Sequence, residues 1–412
     1  MNYTNKKTLK DLNLKNQTVL VRCDFNVPIK EGKIVDDKRI RAALETINYL
    51  LRNNNKVIAL SHLSRIKGIE DIKSNKKTLA PVATRLGELL KDYEVKFCSS
   101  TKFDDIRNCI KTMKDQSVLL LENTRYYDVN EQNEVIKRES KNDPELAKFY
   151  ASLATAFVND AFGTAHRAHA SNAGIASILK ETSCIGFLVE KEINMISKAI
   201  NEPIRPYVAI LGGAKVSDKL KVISNLITKC DKIIITGGMA FTFNAASGKQ
   251  IGKSICEPEM YDMARSLMKE HGDKLVISED NLCTYEYADL EPTLYTIEQG
   301  IPHNLEGLDI GPKSIAKFAS VLKDAKTIIW NGPCGVTEFS HFQAGTRAVA
   351  KVVKTATSNG CYSLIGGGDS ASAIIQLGFK ENDFSFISTG GGAALTLIEG
   401  SPLKGIDPIP NK

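Results

Sequence analysis

The segment GGAKVSDK at residues 212–219 follows an apolar run, YVAIL, and carries Lys215 and Lys219 four residues apart. Residues at that spacing share a helical face. Val216, Leu220, Ile223 and Ile227 mark an apolar face beside them, so both lysines are expected on the first turns of a helix. A helix start has free N–H groups and a partial positive charge, and two ammonium groups there add to the same field. A solvated surface pair is the plain alternative. Glycines directly behind a strand favour a bound anion.

Two common phosphate fingerprints fail. SGKQIGKS at residues 247–254 puts Ser247 where the P-loop needs its first glycine, and none of GGAKVSD, GGGDSAS and GGGAALT completes GxGxxG. The glycines of GGGDS, Gly366, Gly367 and Gly368, permit close backbone approach. Asp369 suits Mg²⁺, and Ser370 is expected to cap a helix. A tight strand-to-helix turn with an ordinary cap explains that run equally well, and Gly390, Gly391 and Gly392 read the same two ways. The first half offers different chemistry. Asp24, Asn26, Arg39, His62, Arg65, Arg125 and Arg167 fall at or near predicted strand ends, and arginine grips carboxylate and phosphate oxygens in pairs. Any one arginine suits a surface ion pair, whereas several in one lobe point to a dianion. His166 and His169 lack the further His or Cys that would complete a zinc set, and no Gx[SC]xG elbow accompanies them.

Positioning these groups requires strands. TVLVRC, KVIAL, SVLLLE, AFVND, YVAIL, KIIIT, KLVIS, TIIWN, YSLIG and FSFIS alternate with helical patterns, which implies parallel sheets covered by helices on both faces. Ligands of such sheets sit beyond the carboxyl ends of the strands. There the segments carry Arg and His up to about residue 180 and glycines from Gly212 onward. Two lobes with a cleft between them follow, residues 1–180 and 181–394, with a helix around GFLVEKEINMISKAI joining them.

Composition narrows the class. A chain of 412 residues is expected to form two domains. Its net charge of +6 suits an anionic ligand, without the basic runs that nucleic acid would require. Nine dispersed cysteines with no CxxC fit reduced thiols in a cytoplasmic protein. No signal peptide or apolar run of about 18 residues is apparent, so no membrane partner is expected. A nicotinamide-linked dehydrogenase would share the lobes but needs the missing dinucleotide fingerprint. A non-catalytic nucleotide binder would not need Arg39 and Lys215.

In order, VRCDFNVP, SHLSR, LLENTRY, FVNDAFGTAHRAH, ILGGAKVSDKL, GGMAFTF, GLDIGP, IIWNGPCGV, IGGGDS and STGGGA resemble the motifs of the phosphoglycerate kinase family along nearly the whole chain. The resemblance implies two Rossmann-like lobes joined by a helical hinge, with residues 395–412 returning to the first lobe. It implies reversible transfer from 1,3-bisphosphoglycerate to ADP, giving 3-phosphoglycerate and ATP with Mg²⁺, by a monomer. Asp24, Asn26, Arg39, His62, Arg65, Arg125 and Arg167 would bind the phosphoglycerate. Gly213, Ala214, Lys219, Gly237, Asn331, Glu338, Gly367, Gly368, Asp369 and Ser370 would bind nucleotide, with Glu338 at the ribose and Asp369 at Mg²⁺.

The leaving group is a carboxylate and the attacking oxygen is already ionised, so no general acid or base is needed. Charge on the moving phosphoryl group must be stabilised, a task for Arg39, Lys215, Mg²⁺ and the amides near Gly391. Lobe closure that expels water is expected. Three positions depart from the family pattern: Ser64 replaces a usual Gly, Ile66 a frequent Pro, and Thr236 the first Gly of GGGMAF. A positive φ at position 64 would strain a serine, and Thr236 is expected to crowd the base pocket.

Overall fold

All ten runs read as strands are strands in the computed structural model of the chain, which describes residues 2–412. The chain divides into two compact units, one running up to Asn194 and including Pro402–Lys412, the other Met195–Ser401. The first holds β1 (Thr18–Cys23), β2 (Lys56–Leu60), β3 (Glu94–Cys98), β4 (Ser117–Leu121), β5 (Ala156–Asp160) and β6 (Ser183–Ile185). They form one parallel sheet in the order β3-β4-β2-β1-β5-β6. Strand order reverses at β1, between β2 and β5, and the carboxyl ends there face the crevice such sheets use for ligands.

The sheet is buried because its central strands are apolar on both faces: Val19, Leu20, Val21, Val57, Ile58 and Phe157 are fully enclosed. Helix α1 (Lys38–Arg52) covers one face with Ile40, Ala43, Ile47, Leu50 and Leu51, a stripe of helical period, while Arg39 and Arg41 on its first turns stay outside the core. Burying each Leu or Ile contributes about 1.5–3 kcal/mol before entropy is counted. Helix α2 (Ala80–Leu89) follows β2, and α3 (Phe103–Lys111) follows β3. Residues 402–412 complete this unit. Leu403, Ile406 and Ile409 are fully buried, Asn159 donates to the Gly405 carbonyl at 3.0 Å, and the Lys6 ammonium to the Asp407 carbonyl at 2.9 Å.

Helix α4 (Phe187–Asn201) contains the residue at which the units divide. The second unit contributes β7 (Tyr207–Leu211), β8 (Lys232–Ile235), β9 (Leu275–Ile277), β10 (Asp280–Thr284), β11 (Thr293–Thr296), β12 (Glu306–Ile310), β13 (Thr327–Asn331), β14 (Tyr362–Gly366) and β15 (Phe386–Ile387). Six of these form a parallel sheet ordered β9-β8-β7-β13-β14-β15, reversing between β8 and β13 about β7. Trp330, the chain's one tryptophan, is fully buried on β13, and its indole N–H donates to the Gly332 carbonyl at 2.7 Å.

The remaining three strands make an antiparallel sheet, β11-β10-β12, an exception to the all-parallel expectation. Their sequences, DNLCT, TLYT and EGLDI, carry too few consecutive β-branched residues to stand out. Strands β3 and β6 were also missed, because EVKFC alternates charge with apolar residues and SCI is only three residues long, both at sheet edges. Among the described residues no helix is long and apolar enough to cross a membrane.

Candidate functional site

At the carboxyl ends of β1 and β2, short polar contacts draw the predicted groups of the first unit together. Arg39 donates to both Asp24 oxygens at 3.0 and 3.1 Å and to the Asn26 carbonyl at 3.2 Å. The Asn26 side chain accepts from the Ser64 amide at 2.8 Å, and Arg125 donates to the Ser64 carbonyl at 2.6 Å. Arg39 thus reaches the site from the first turn of α1, not from a strand end as expected. Ser64 does adopt a positive φ, 58°, the strained conformation its place in the motif implied. That turn directs its N–H at the Asn26 side chain and its carbonyl at Arg125. Arg65 and Arg167 are exposed, and Arg167 donates to His166 Nε2 at 3.1 Å. Ile66, in place of a frequent proline, packs with Tyr126 and Val129.

Beneath this layer lies a network that sequence reasoning missed. Arg22, fully buried on β1, donates to Ser171 Oγ at 2.8 Å and approaches His62 Nδ1 at 3.2 Å. Ser171 donates to both oxygens of buried Glu139, at 2.5 Å from its hydroxyl and 3.1 Å from its amide. His169 Nδ1 lies 3.8 Å from Glu139. A guanidinium has no acceptor, so His62 Nδ1 must accept and its proton resides on Nε2. Burial, then the charge of Arg22, holds His62 well below the ordinary histidine range; the same causes push His169 down to about 3. Burial raises Glu139, against the pull of Arg22 and Ser171. Burial, reinforced by Arg22 and Arg167, lowers Arg125. The signal in the sequence was a lone arginine inside an apolar strand.

In the second unit the carboxyl ends of β7 and β13 touch: a Cβ on Gly212 would meet the Pro333 carbonyl at 2.2 Å, so only glycine fits. Lys219 reaches across to the Asn331 side chain, whose amide donates to the Gly366 carbonyl at 2.8 Å. Around them a cavity of about 190 Å³ is lined by Lys219, Asn331, Gly367, Asp369, Ser370 and Gly391, among others. Two helices open onto it, α6 (Gly368–Gln376) behind Gly367 and α7 (Gly392–Ile398) behind Gly391, both glycines at positive φ. Free amides of two helix starts and one ammonium therefore face a space of phosphate size. Burial lowers Lys219, against Asp369, which raises it.

A wider cavity of about 500 Å³ adjoins it through Asp369, lined by Gly213, Ala214, Gly237, Tyr287 and Glu338. Thr236 is fully buried and does not line it, so the expected crowding is absent. Two further expectations are corrected. Helical structure starts at Ser217 with a 3₁₀ turn and continues as α5 (Leu220–Leu226), so Lys219 stands in the turn and Lys215 precedes it, exposed. The cause is a tertiary tie: Ser217 donates to both oxygens of Glu257, at 2.5 and 3.0 Å. Burial of Glu257 is outweighed by those bonds, a Val216 amide bond and the charge of Lys215, which together hold its carboxyl below the usual range. Ser370 does not cap α6; its hydroxyl accepts the Gly332 amide at 2.6 Å.

The floor of the wider cavity carries a titrating group. Asp309 is buried, accepting amides of Gly345 and Ile310 at 2.8 Å each, and burial raises it to about 7, with the Cys334 thiol as a neighbour. Because the folded value lies above the unfolded value of 3.8, its contribution to stability is full below the unfolded value and lost as pH rises through the folded one. The urea midpoint followed by Trp330 fluorescence is expected to be higher at pH 5.5 than at pH 8, and Asp309→Asn to flatten that difference. An unchanged slope in the variant would refute the assignment.

The phosphoglycerate kinase family model matches residues 9–401. The phosphoglycerate kinases of Oenococcus oeni and Mycoplasmoides gallisepticum are each 52% identical to the chain, over 99% and 100% of it and all of each relative. Among solved structures, phosphoglycerate kinase from Coxiella burnetii superposes with a TM-score of 0.85 at 37% identity, covering 98% of both chains. That from Pyrococcus horikoshii OT3 gives 0.78 at 30% identity, over 97% of this chain and 98% of that one. With its two doubly wound sheets and motifs matched along this length, the chain belongs to the phosphoglycerate kinase family.

Proposed function

We propose that the first unit holds the phosphoglycerate and the second the nucleotide, in the reversible transfer of a phosphoryl group from 1,3-bisphosphoglycerate to ADP, giving 3-phosphoglycerate and ATP. The observation that carries the division of labour is the contrast between two anion sites. One presents guanidinium and imidazole side chains, suited to a small dianion with fixed geometry. The other presents glycine-led helix starts and a lysine, suited to a polyphosphate approached by backbone.

In this reading Asp24 and Asn26 hold Arg39 in place, and Arg39, Arg65, Arg125, Arg167 and His62 Nε2–H bind the acid. Gly213, Ala214, Gly237 and Glu338 receive the base and ribose. Lys219, Asn331, Gly367, Gly368 and Ser370 shape the phosphate pocket. Asp369 is exposed where both cavities meet, and a single carboxylate beside phosphate oxygens is the donor set Mg²⁺ accepts. When bound there, Mg²⁺ would neutralise phosphate charge. Arg39, Lys215 and the Gly391 amide supply positive charge to the three equatorial oxygens in flight.

Both substrates must meet without water, so closure of the units on one another belongs to the proposal. We also place the enzyme in the cytoplasm, acting as a monomer. The test is a coupled assay with 3-phosphoglycerate and MgATP, run with and without chelator, alongside small-angle scattering with and without both substrates. Turnover that chelator abolishes and a contracted profile are expected. Absence of turnover would overturn the function, and an unchanged profile the closure.

A further inference from the structure

The nine cysteines are scattered in sequence, but the fold brings two of them together. Cys98 is the last residue of β3 and Cys109 lies on α3, and their sulfurs are 3.1 Å apart. Among the described residues no other two thiols are in hydrogen-bonding contact. We propose that Cys98 and Cys109 are a redox modification site, forming a reversible intramolecular disulfide on exposure to a low-molecular-weight disulfide.

The geometry assigns each thiol a part. Cys109 is partly exposed and meets the reagent; Cys98 is 3% exposed and has the Cys109 sulfur as its neighbour. The segment between them is already braced, because Ser100 Oγ donates to Asp105 at 2.7 Å and accepts the Lys102 amide at 3.1 Å. Little chain freedom remains to be lost on closing the bridge, and the sulfurs need approach by only about 1 Å to reach the bond length of about 2.05 Å. β3 is the edge strand of its sheet, so the adjustment is made at the periphery and not in the core. Burial, then the hydrogen bond from Cys109, pushes the Cys98 thiol up to about 12, which keeps it protonated until it attacks.

The steps balance. The Cys109 sulfur attacks one sulfur of the external disulfide, gives its proton to the departing thiolate, and leaves a mixed disulfide with one small thiol released. The Cys98 sulfur then attacks the Cys109 sulfur, and a second small thiol departs with its proton. Two protein thiols are oxidised and one external disulfide is reduced to two thiols.

Glutathione disulfide is the probe. Tryptic cleavage after Lys96, Lys102, Arg107 and Lys111 places the two cysteines on separate short peptides, 97–102 and 108–111. After oxidation and blocking of remaining thiols with N-ethylmaleimide, mass spectrometry is expected to find these peptides joined, two hydrogens lighter than their sum, and separated again by dithiothreitol. In Cys98→Ser the link is expected to be lost and Cys109 to retain glutathione. Should that variant fail to fold, the wild-type map decides alone. Both cysteines recovered as maleimide adducts, or a persistent glutathione adduct on wild-type Cys109 without the link, overturns the proposal.

Discussion

Lys215→Ala is expected to lower kcat by about 10²–10³ while leaving the thermal unfolding midpoint unchanged. The size follows from what a single preorganised charge contributes to such a transition state, about 2.7–4 kcal/mol. The unchanged midpoint follows from exposure: Lys215 covers no core, and its loop is held by the Ser217 to Glu257 bonds, which the substitution leaves intact. The KM for 3-phosphoglycerate is expected to stay within about twofold, because an interaction made only with the moving phosphoryl group acts on kcat alone. Lys215→Arg keeps the charge but widens it into a planar fork, and recovers part of the loss. Steady-state kinetics of both variants check this, and an undiminished kcat in the alanine variant removes Lys215 from the transfer.

The second large effect is on stability. Arg22→Met keeps the bulk of a fully buried side chain but strips the charge that partners buried Glu139, with an expected cost of about 3–5 kcal/mol at neutral pH. The loss also frees His62 Nδ1 from its donor, so the imidazole is no longer confined to one tautomer. Glu139 is already raised by burial, and removing Arg22 raises it further. A carboxyl with a raised folded value destabilises above that value and is relieved as it takes up a proton, so the deficit of Arg22→Met shrinks as pH falls toward 5. Arg22→Met with Glu139→Gln is expected to recover much of the stability, since both buried charges are then gone. Urea unfolding followed by circular dichroism decides it, and a pH-independent deficit would separate the two residues.

Ten of the twelve parallel strands were legible because they are short apolar runs closed by small, polar or charged residues, the strongest local signal a chain gives. The motif residues were legible by the same punctuation. Three features depended on partners remote in sequence. Arg22 reads as a flaw in a strand until Ser171 and Glu139, more than a hundred residues onward, make it a keystone. Lys215 was placed inside a helix because residues 215–227 have helical period, yet Glu257 fixes where that helix begins. Ser370 has the right chemistry for a cap but is taken by the Gly332 amide. Local propensity proposes in each case, and a hydrogen bond from elsewhere decides. Ser64 is the reverse: the strain was visible from the family pattern, and the structure shows what accompanies it, the two peptide units flanking Ser64 turned toward Asn26 and Arg125.

Residues 402–412 supply Leu403, Ile406 and Ile409 to the core of the first unit and accept bonds from Lys6 and Asn159. During synthesis that unit therefore waits, lacking one wall, while the whole of Met195–Ser401 is translated. At about 5–20 residues per second the delay is on the order of tens of seconds. The second unit can fold on emergence, whereas the first must persist as a nascent, incompletely sealed body, and its last piece arrives only after its neighbour has been made.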